Sequence, residues 1–309
     1  MITRRECLTG IGGILMMGGT TLANGAVTTK QVIYKGWNDC TLLTNKIVEL
    51  IFVPQIGRVM RYGYVGEANL LWENEALAGK TTDPKAVNAD WQNYGGDKLW
   101  PAPQAVWGWP PDPVMDSGAH TVKTLSGNRV QTLGQKSSKH NLRFRREITL
   151  DAKGTGVTFI NSVFNTGEKE AQWSVWEVAQ VASPDVAIMP LHKGGKFPAG
   201  YYTFKDADAA EGKLKIVGNT VRVERDAKRS SKIGGDSPLG WIASEKNGTR
   251  FEISHKPDPK ATYPDDGCHL EIYTNPDPLA YVEMELLSPL VAIAPGERYS
   301  HTTRWRLSK

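Results

Sequence analysis

The chain has 309 residues, with 37 Lys and Arg against 33 Asp and Glu, which gives a formal net charge of +4. This charge is too small, and too evenly spread, to favour nucleic acid or anionic lipid as a partner. No stretch has the length of a membrane helix. The length suits one large domain with a substantial core.

The first 26 residues predict an export signal rather than part of the fold. Arg4 and Arg5 precede the short apolar stretch GIGGILMMGG and a small-residue tail that ends near Ala26. A basic start, a short apolar centre and small residues at the end are typical of a secretory signal peptide. The paired arginines and the glycine-rich centre resemble a twin-arginine signal. We therefore expect cleavage near residue 26, a single mature domain of residues 27–309, and a bacterial protein that is periplasmic or secreted.

Two of the three cysteines, Cys40 and Cys268, remain in this mature chain. In an exported protein they could form one disulfide that joins the two ends of the domain. Two buried free thiols are the alternative, and the sequence leaves both open.

The mature chain consists of short runs in which apolar and polar residues alternate between turn-forming Gly, Asn, Asp and Pro. Period-two alternation is typical of half-buried antiparallel strands. Helical periodicity is scarce, and no linker, repeat or change in composition divides the chain. We therefore predict an all-β fold, one large antiparallel β-sandwich. The predicted strands are residues 46–53, 58–65, 143–150, 156–164, 172–181, 220–226, 240–245, 250–255, 269–274, 281–287 and 298–307.

Residues 91–113 concentrate four of the ten tryptophans and five prolines in one segment. The prolines argue against a helix interior or a central strand, so we predict a stiff loop. Indole rings held in this way can stack on the apolar faces of a sugar ring. The alternative is that they close the open end of the sandwich. We take the loop as a candidate ligand-binding mouth, with candidate binding residues Trp100, Trp107 and Trp109.

The C-terminal part, CHLEIYTNPDPLAYVEMELLSPLVAIAPGERYSHTTRWRL (268–307), is similar to the closing section of aldose-1-epimerase (galactose mutarotase) proteins. Tyr273-Thr274, Glu285 and the turn Pro295-Gly296-Glu297 match the pattern of that group in order. Near the front, residues 53–72 resemble the opening strands of the group, including its arginine, here Arg58. The resemblance implies the galactose mutarotase-like supersandwich.

A closer resemblance is to an uncharacterised bacterial domain family allied to these proteins. The shared stretches are YGGDKLWPAPQ (94–104), KIGGDSPLGW (232–241) and YPDDG (263–267). This second resemblance supports the same fold and implies no particular activity.

The epimerase resemblance implies opening and reclosure of an aldose ring. A carboxylate takes the proton from the anomeric hydroxyl while an acid protonates the ring oxygen, and Glu285 matches the position of the general base. Alternation along residues 281–287 places Glu283 beside Glu285 on one face and Val282, Met284 and Leu286 on the other. An ordinary solvent-exposed strand face is the alternative. Glu285 is our candidate base, and Glu283 a candidate binding residue.

The acid is the point at which this chain departs from the epimerase pattern. Mutarotases carry one histidine after the Gly-Gly loop and another on the strand that corresponds to residues 172–181. This chain has Asp97-Lys98 and Trp176-Glu177 there. We take His192, in a glycine-rich loop, as the substitute catalytic group. We add Glu177, because a charge within an apolar strand needs a partner.

The remaining candidate binding residues are basic: Lys98, Lys232 and Arg58. No spacing matches a zinc site, a calcium loop or a phosphate-binding loop, so we expect no metal and no cofactor. The expected partner is a mono- or oligosaccharide.

Three functions remain open. The first is an exported sugar isomerase of the mutarotase type with a rearranged acid. The second is a non-catalytic carbohydrate-binding protein, and the third is a sugar lyase or hydrolase on the same fold. Fold alone does not decide among them, because function depends on the site.

Overall fold

The computed structural model describes residues 27–83, 91–205 and 213–309. The predicted signal at residues 1–26 lies outside the described residues. The described part contains one short α-helix, α1 (Pro113–Ser117), and 21 strands. The strands are β1 (Thr28–Tyr34), β2 (Trp37–Thr44), β3 (Val48–Val53), β4 (Arg58–Tyr64), β5 (Asp97–Ala102), β6 (His120–Ser126), β7 (Arg129–Gly134), β8 (Leu142–Leu150), β9 (Val157–Asn165), β10 (Ala171–Ala182), β11 (Val186–Pro190), β12 (Tyr202–Thr203), β13 (Leu214–Val217), β14 (Thr220–Val223), β15 (Ser231–Gly235), β16 (Trp241–Lys246), β17 (Thr249–His255), β18 (Leu270–Thr274), β19 (Tyr281–Leu287), β20 (Val291–Ile293) and β21 (Arg298–Ser308).

The strands form two large antiparallel sheets. The first sheet has the order β1-β2-β3-β4-β5-β10-β19-β18-β15-β12, with β20 paired to one end of β10. The second has the order β13-β14-β11-β16-β17-β21-β9-β8-β7-β6. Each of the eleven predicted strands is present, so the prediction of an all-β, mutarotase-like sandwich is confirmed.

The main core lies between the two sheets and follows the alternation seen in the sequence. On β19, Val282, Met284 and Leu286 join this core. On β21, Trp305 is fully buried against Tyr62, with ring centroids 5.3 Å apart. Residues at alternate positions of the first sheet therefore point away from the second sheet, and these form the site described below.

One expectation about the tryptophan-rich segment is wrong, because Pro101 lies within β5, a central strand of the first sheet. β5 pairs along its length with β10, but with β4 only through Asp97 and Val59. The Pro101 carbonyl accepts a hydrogen bond from the indole of Trp107 and so points away from the β10 ladder. In an antiparallel strand the nitrogen and the carbonyl of one residue point to the same side. The Pro101 nitrogen, which cannot donate a hydrogen bond, therefore also points away from β10, to a side where no neighbouring strand needs that bond.

The sequence left the pairing of Cys40 and Cys268 open, and in the structure both are buried free thiols. Cys40, on β2, belongs to a separate apolar cluster, whereas Cys268 lies beside Gly234 of β15. Burial raises the pKa of the Cys40 thiol to about 12. Burial also raises the pKa of the Cys268 thiol, so neither thiol is expected to react as a nucleophile at neutral pH.

A row of three buried histidines connects β17, β21 and the start of β18. The Nδ1 atom of His255 is 3.1 Å from His301 Nε2, and its Nε2 atom is 2.9 Å from His269 Nδ1. Burial lowers the pKa of His269 and of His301 to about 4, and it lowers that of His255 well below its usual value. Imidazoles in this row are therefore neutral at pH 7.

This row predicts a specific pH dependence of stability. Because the folded pKa of His301 is lower than the unfolded value of about 6.5, the unfolded chain binds protons first as the pH falls. The contribution of His301 to the free energy of unfolding is complete above pH 6.5 and is lost as the pH falls from 6.5 to about 4. This contribution amounts to about 3 kcal/mol. Urea unfolding of the wild type and of His301→Gln over this range measures it.

The quantity to compare is the difference in free energy of unfolding between the wild type and His301→Gln. Burial raises the pKa of Glu271 and of Glu283, and these two groups change the stability with pH in the opposite direction in both proteins. We expect the free energy of unfolding to fall more steeply with acid in the wild type than in His301→Gln. Parallel curves would show that His301 titrates normally in the folded protein.

Candidate functional site

The face of the first sheet that points away from the second sheet forms the floor of an open cavity of about 720 Å³. Its volume is within the range of small-molecule sites. Strands β5, β10, β15, β18 and β19 form the floor, and the tryptophan-rich segment forms one wall. The lining residues are Trp91, Trp100, Gln104, Ala105, Gly108, Trp109, Trp176, Phe204, Lys232, Asp265, Tyr273, Asn275, Tyr281, Glu283 and Glu285.

Glu285 is the most constrained carboxylate of this cavity, with 1% of its surface exposed. Its Oε2 atom accepts hydrogen bonds from the Trp176 indole at 2.9 Å and from Lys232 Nζ at 3.1 Å. No group in the described residues donates a hydrogen bond to its buried Oε1 atom. One oxygen is therefore held by the protein, and the other has no hydrogen-bond donor among the described residues.

Lys232 joins Glu285 to a second glutamate that the sequence did not single out. Glu271 lies directly opposite Glu285 in the register of β18 and β19, and its Oε2 atom is 2.6 Å from Lys232 Nζ. Two facing carboxylates repel each other, so the lysine between them is needed to hold both. Burial alone lowers the pKa of Lys232, but the charges of Glu271 and Glu285 outweigh it and raise this pKa.

Glu283 has a different environment, although it lies only two residues away on the same face. Its Oε1 atom accepts a hydrogen bond from Gln180 at 2.8 Å and lies 3.6 Å from Lys98 Nζ. Burial raises the pKa of Glu283; Lys98 opposes this shift and the charge of Glu285 adds to it. Burial also lowers the pKa of Lys98, whose Nζ atom lies 4.1 Å from the centre of the Trp100 ring. This pair is suited to hold a transferable proton.

A buried ion pair between Arg58 and Asp116 holds Trp100 of the tryptophan-rich segment in position. Asp116 accepts a hydrogen bond from the Trp100 indole at 2.9 Å and pairs with Arg58 at 2.7 Å. Arg58 also donates to the carbonyl of Gly95 at 2.9 Å. Arg58 is fully buried and does not line the cavity, so its predicted role in ligand binding is corrected to one of positioning Trp100.

Trp107 also differs from its predicted role, because it is buried behind the wall and does not line the cavity. Its indole donates to the Pro101 carbonyl at 2.7 Å, and its ring packs edge-on against Trp100. Trp109, in contrast, is 57% exposed and stands at the rim, with its ring 4.9 Å from that of Trp91. Trp100 and Trp109 therefore present indole surface to the cavity, and Trp107 supports Trp100.

Glu177 is not in the cavity, which corrects its prediction as a catalytic residue. Trp176 and Glu177 are adjacent on β10, and alternation sends them to opposite faces. Glu177 points into the main core, where it accepts hydrogen bonds from the Trp305 indole and from Asn161, both at 2.8 Å. Arg146 lies 3.7 Å from it. The partner that a buried charge requires is thus a structural arginine.

His192 is also outside the cavity, which corrects its prediction as the acid. It lines a different cavity of about 470 Å³, where its Nδ1 atom is 3.1 Å from Asp236. The two cavities share no lining residue, although Asp265 lines one and Asp266 the other. The loop that carries His192 follows β11 of the second sheet, and its position could not be read from its composition.

Of the ten predicted site residues, five line the cavity: Trp100, Trp109, Lys232, Glu283 and Glu285. Lys98 does not line the cavity but contacts two of these five residues, Glu283 and Trp100. The site also contains four residues that were not predicted from the sequence: Glu271, Asp265, Phe204 and Trp176. Asp265 lies in the shared YPDDG stretch, a signal that could have indicated it, whereas nothing in the sequence marks Glu271 apart from its neighbours.

Within the described residues, no three His, Cys, Asp or Glu side chains are grouped so that they could hold a metal ion. In the same part of the chain, no helix is long and apolar enough to cross a membrane.

Comparison with solved structures shows a shared fold. A galactose mutarotase related enzyme from Lactobacillus acidophilus matches with a TM-score of 0.58 and 8% identity, over 87% of this chain and 97% of that one. A galactose mutarotase-like protein from Clostridium acetobutylicum matches with a TM-score of 0.56 and 12% identity, over 91% and 98%. A TPR-domain containing protein from Parabacteroides distasonis matches with a TM-score of 0.59 and 15% identity over 91% of this chain.

The present chain spans 48% of the length of that last protein. No curated protein matches the sequence. A family model does match, over residues 40–308, and this range includes every lining residue of the cavity. The chain belongs to the family described as domain of unknown function DUF4380, and the fold of the chain is that of the galactose mutarotase-like proteins.

Proposed function

We propose that the protein binds a sugar in the 720 Å³ cavity and interconverts its anomers, with Glu285 as the base. The observation that carries this proposal is the buried Glu285 carboxylate: the residue lines a cavity rich in indole rings, and its Oε1 atom has no hydrogen-bond partner among the described residues. Aromatic faces suit the apolar faces of a sugar, and carboxylate oxygens accept hydrogen bonds from its hydroxyls.

The proposed reaction uses two carboxyl groups. Glu285 takes the proton from the anomeric hydroxyl, and the electron pair of that oxygen forms the carbonyl as the bond from the anomeric carbon to the ring oxygen breaks. Burial raises the pKa of Glu283, which favours its protonated form, and Glu283 gives its proton to the ring oxygen. After rotation of the aldehyde, the reverse transfers close the ring as the other anomer. Lys232 holds Glu285 in place through the ion pair between them.

A non-catalytic sugar-binding protein is the second candidate. It is supported by the residues Asp97-Lys98 and Trp176-Glu177, which stand where the resembling epimerases carry histidines. Saturation-transfer NMR on a panel of aldoses separates the two functions. Anomer exchange above the uncatalysed rate supports the isomerase, and binding without exchange supports the second candidate. Cleavage or elimination products from an oligosaccharide panel would instead indicate a hydrolase or a lyase.

The exposed indole at the rim gives a test of sugar binding that leaves the core intact. We expect Trp109→Ala to weaken the binding of any sugar ligand by about tenfold or less, because one stacked ring contributes on the order of 1 kcal/mol. Isothermal titration calorimetry measures this change. Val106→Ala is the control, since Val106 is exposed on the same loop but does not line the cavity. Unchanged affinity in Trp109→Ala would remove that ring from the binding surface, and no binding across a broad glycan panel would exclude carbohydrate.

We also propose that the protein is exported, on the basis of the twin-arginine-like residues 1–26 alone. The N-terminal sequence of the protein recovered from the expressing cells tests this proposal. A mature chain that begins near residue 27 supports it, and an intact N-terminus contradicts it.

A further inference from the structure

The charges around Lys232 are unbalanced. Glu271, Glu285 and Asp265 surround this one lysine, and the other lysine of the site, Lys98, is paired with Glu283. The pair of Lys98 and Glu283 has no net charge, whether or not the proton has moved between them. Among the described residues, these three carboxyl groups share a single cation. Burial raises the pKa of Glu271, but with Glu271 protonated Glu285 and Asp265 still share one lysine, so the described surroundings of Lys232 are short of positive charge.

Asp265 is the carboxylate of this group that has no direct partner among the described residues. It lines the cavity, and no hydrogen bond or salt bridge reaches its side chain from the described residues. Burial raises the pKa of Asp265, the charge of Lys232 opposes this shift, and the charge of Glu285 adds to it. Its backbone has a φ of 50°, in the left-handed region, and strained residues of this kind are concentrated at functional sites.

Two further observations point to a ligand that carries a donor. Glu285 lines the cavity, and only 1% of its surface is exposed. Its Oε1 atom accepts no hydrogen bond from the described residues. The ring faces beside it already accept an ammonium group, because Lys232 Nζ lies 5.0 Å from the centres of both the Trp176 and the Phe204 rings. Carboxylates next to aromatic faces are the chemistry that recognises an organic cation.

We propose that the ligand of this cavity is an amino sugar whose ammonium group is bound by Asp265. This inference rests on the proposed sugar-binding function and narrows it to one chemical class. The ammonium supplies the missing charge, while Glu283 and Glu285 remain available for proton transfer at the ring. Asp265 then determines specificity and is not a catalytic residue.

The test compares matched pairs of sugars that differ only in the amino group: glucosamine with glucose, galactosamine with galactose, and mannosamine with mannose. Titration calorimetry at pH 6.5 gives the ratio of affinities within each pair. For the wild type we expect the amino sugar of the preferred pair to bind about tenfold more tightly or better, because a charge-assisted hydrogen bond replaces a neutral one. N-acetylglucosamine, which has no charge, should show no such gain.

The substitution Asp265→Asn should reduce this ratio to within about threefold, because the neutral amide cannot form the charge-assisted hydrogen bond. Asparagine tolerates the left-handed backbone, so the turn is kept. Asp266→Asn is the matched control, since Asp266 has a φ of 58° in the same turn but lines the other cavity. Its ratio should equal that of the wild type.

Neutral sugars that bind as tightly as their amino partners would overturn this inference and leave the proposed sugar binding intact. An amino-sugar preference that persists in Asp265→Asn would also overturn it, because another group would then hold the ammonium. If no member of any pair binds, the inference and the proposed function both fail.

Discussion

Replacing Glu285 with glutamine is expected to lower the rate of anomer interconversion by about 10²- to 10⁴-fold, the usual contribution of a general base. The amide cannot take the proton from the anomeric hydroxyl, yet its oxygen can still accept the hydrogen bond of the Trp176 indole. The fold should therefore survive, as judged by circular dichroism and thermal melting. Saturation-transfer NMR measures the exchange rate at a fixed sugar concentration.

The matched control for this prediction is Glu252→Gln, on β17 of the second sheet, where the carboxylate is partly exposed and pairs with Arg250. Its exchange rate should equal that of the wild type. Interconversion that continues unchanged in Glu285→Gln would exclude the mutarotase mechanism at this site. Glu283→Gln should also lose activity, because it removes the proposed proton donor.

The second large effect concerns stability, and we expect Arg146→Met to lower the free energy of unfolding by about 3–5 kcal/mol. Arg146 is buried between the sheets, where it contacts Asp97, donates to Asn161 at 2.9 Å and lies 3.7 Å from Glu177. Its removal leaves two fully buried carboxylates without a cation, and both must be neutralised or exposed. Urea unfolding at pH 7 measures the loss.

The control for this change is Arg304→Met, which breaks an exposed pair with Asp151. Exposed pairs contribute little, so its free energy of unfolding should change by less than about 1 kcal/mol. Arg146→Lys, which keeps the charge, should retain part of the stability. If Arg146→Met is as stable as Arg304→Met, the buried network does not stabilise the fold.

The Arg146 network also explains how a charged residue in an apolar strand can be misinterpreted. Glu177 lies in the sequence WSVWEVAQV, and both faces of β10 are buried in this structure. A strand that is buried on both faces shows no polar alternation, so the pattern does not tell which face is the core. The partner of Glu177 comes from β8, 31 positions away, and only the packing of the two sheets brings them together.

The proposed amino-sugar site is also formed by residues that are far apart in the sequence. Lys232 and Glu285 are 53 positions apart in the sequence, and Glu271 faces Glu285 through the register of β18 and β19. No local pattern reveals that three carboxyl groups meet one lysine. The shared stretches KIGGDSPLGW and YPDDG contain Lys232 and Asp265, but they do not show that the two residues belong to one cavity.

The sequence by itself determined the all-β fold, because period-two alternation is a local property of a strand that has one face on the core. It also determined that Glu283 and Glu285 share one face of β19, since Val282, Met284 and Leu286 require the other. Only the tertiary structure decided that Glu177 and Arg58 are structural and that His192 lines a different cavity. Alternation fixes which residues share a face, whereas sheet order, register and loop packing determine what that face meets.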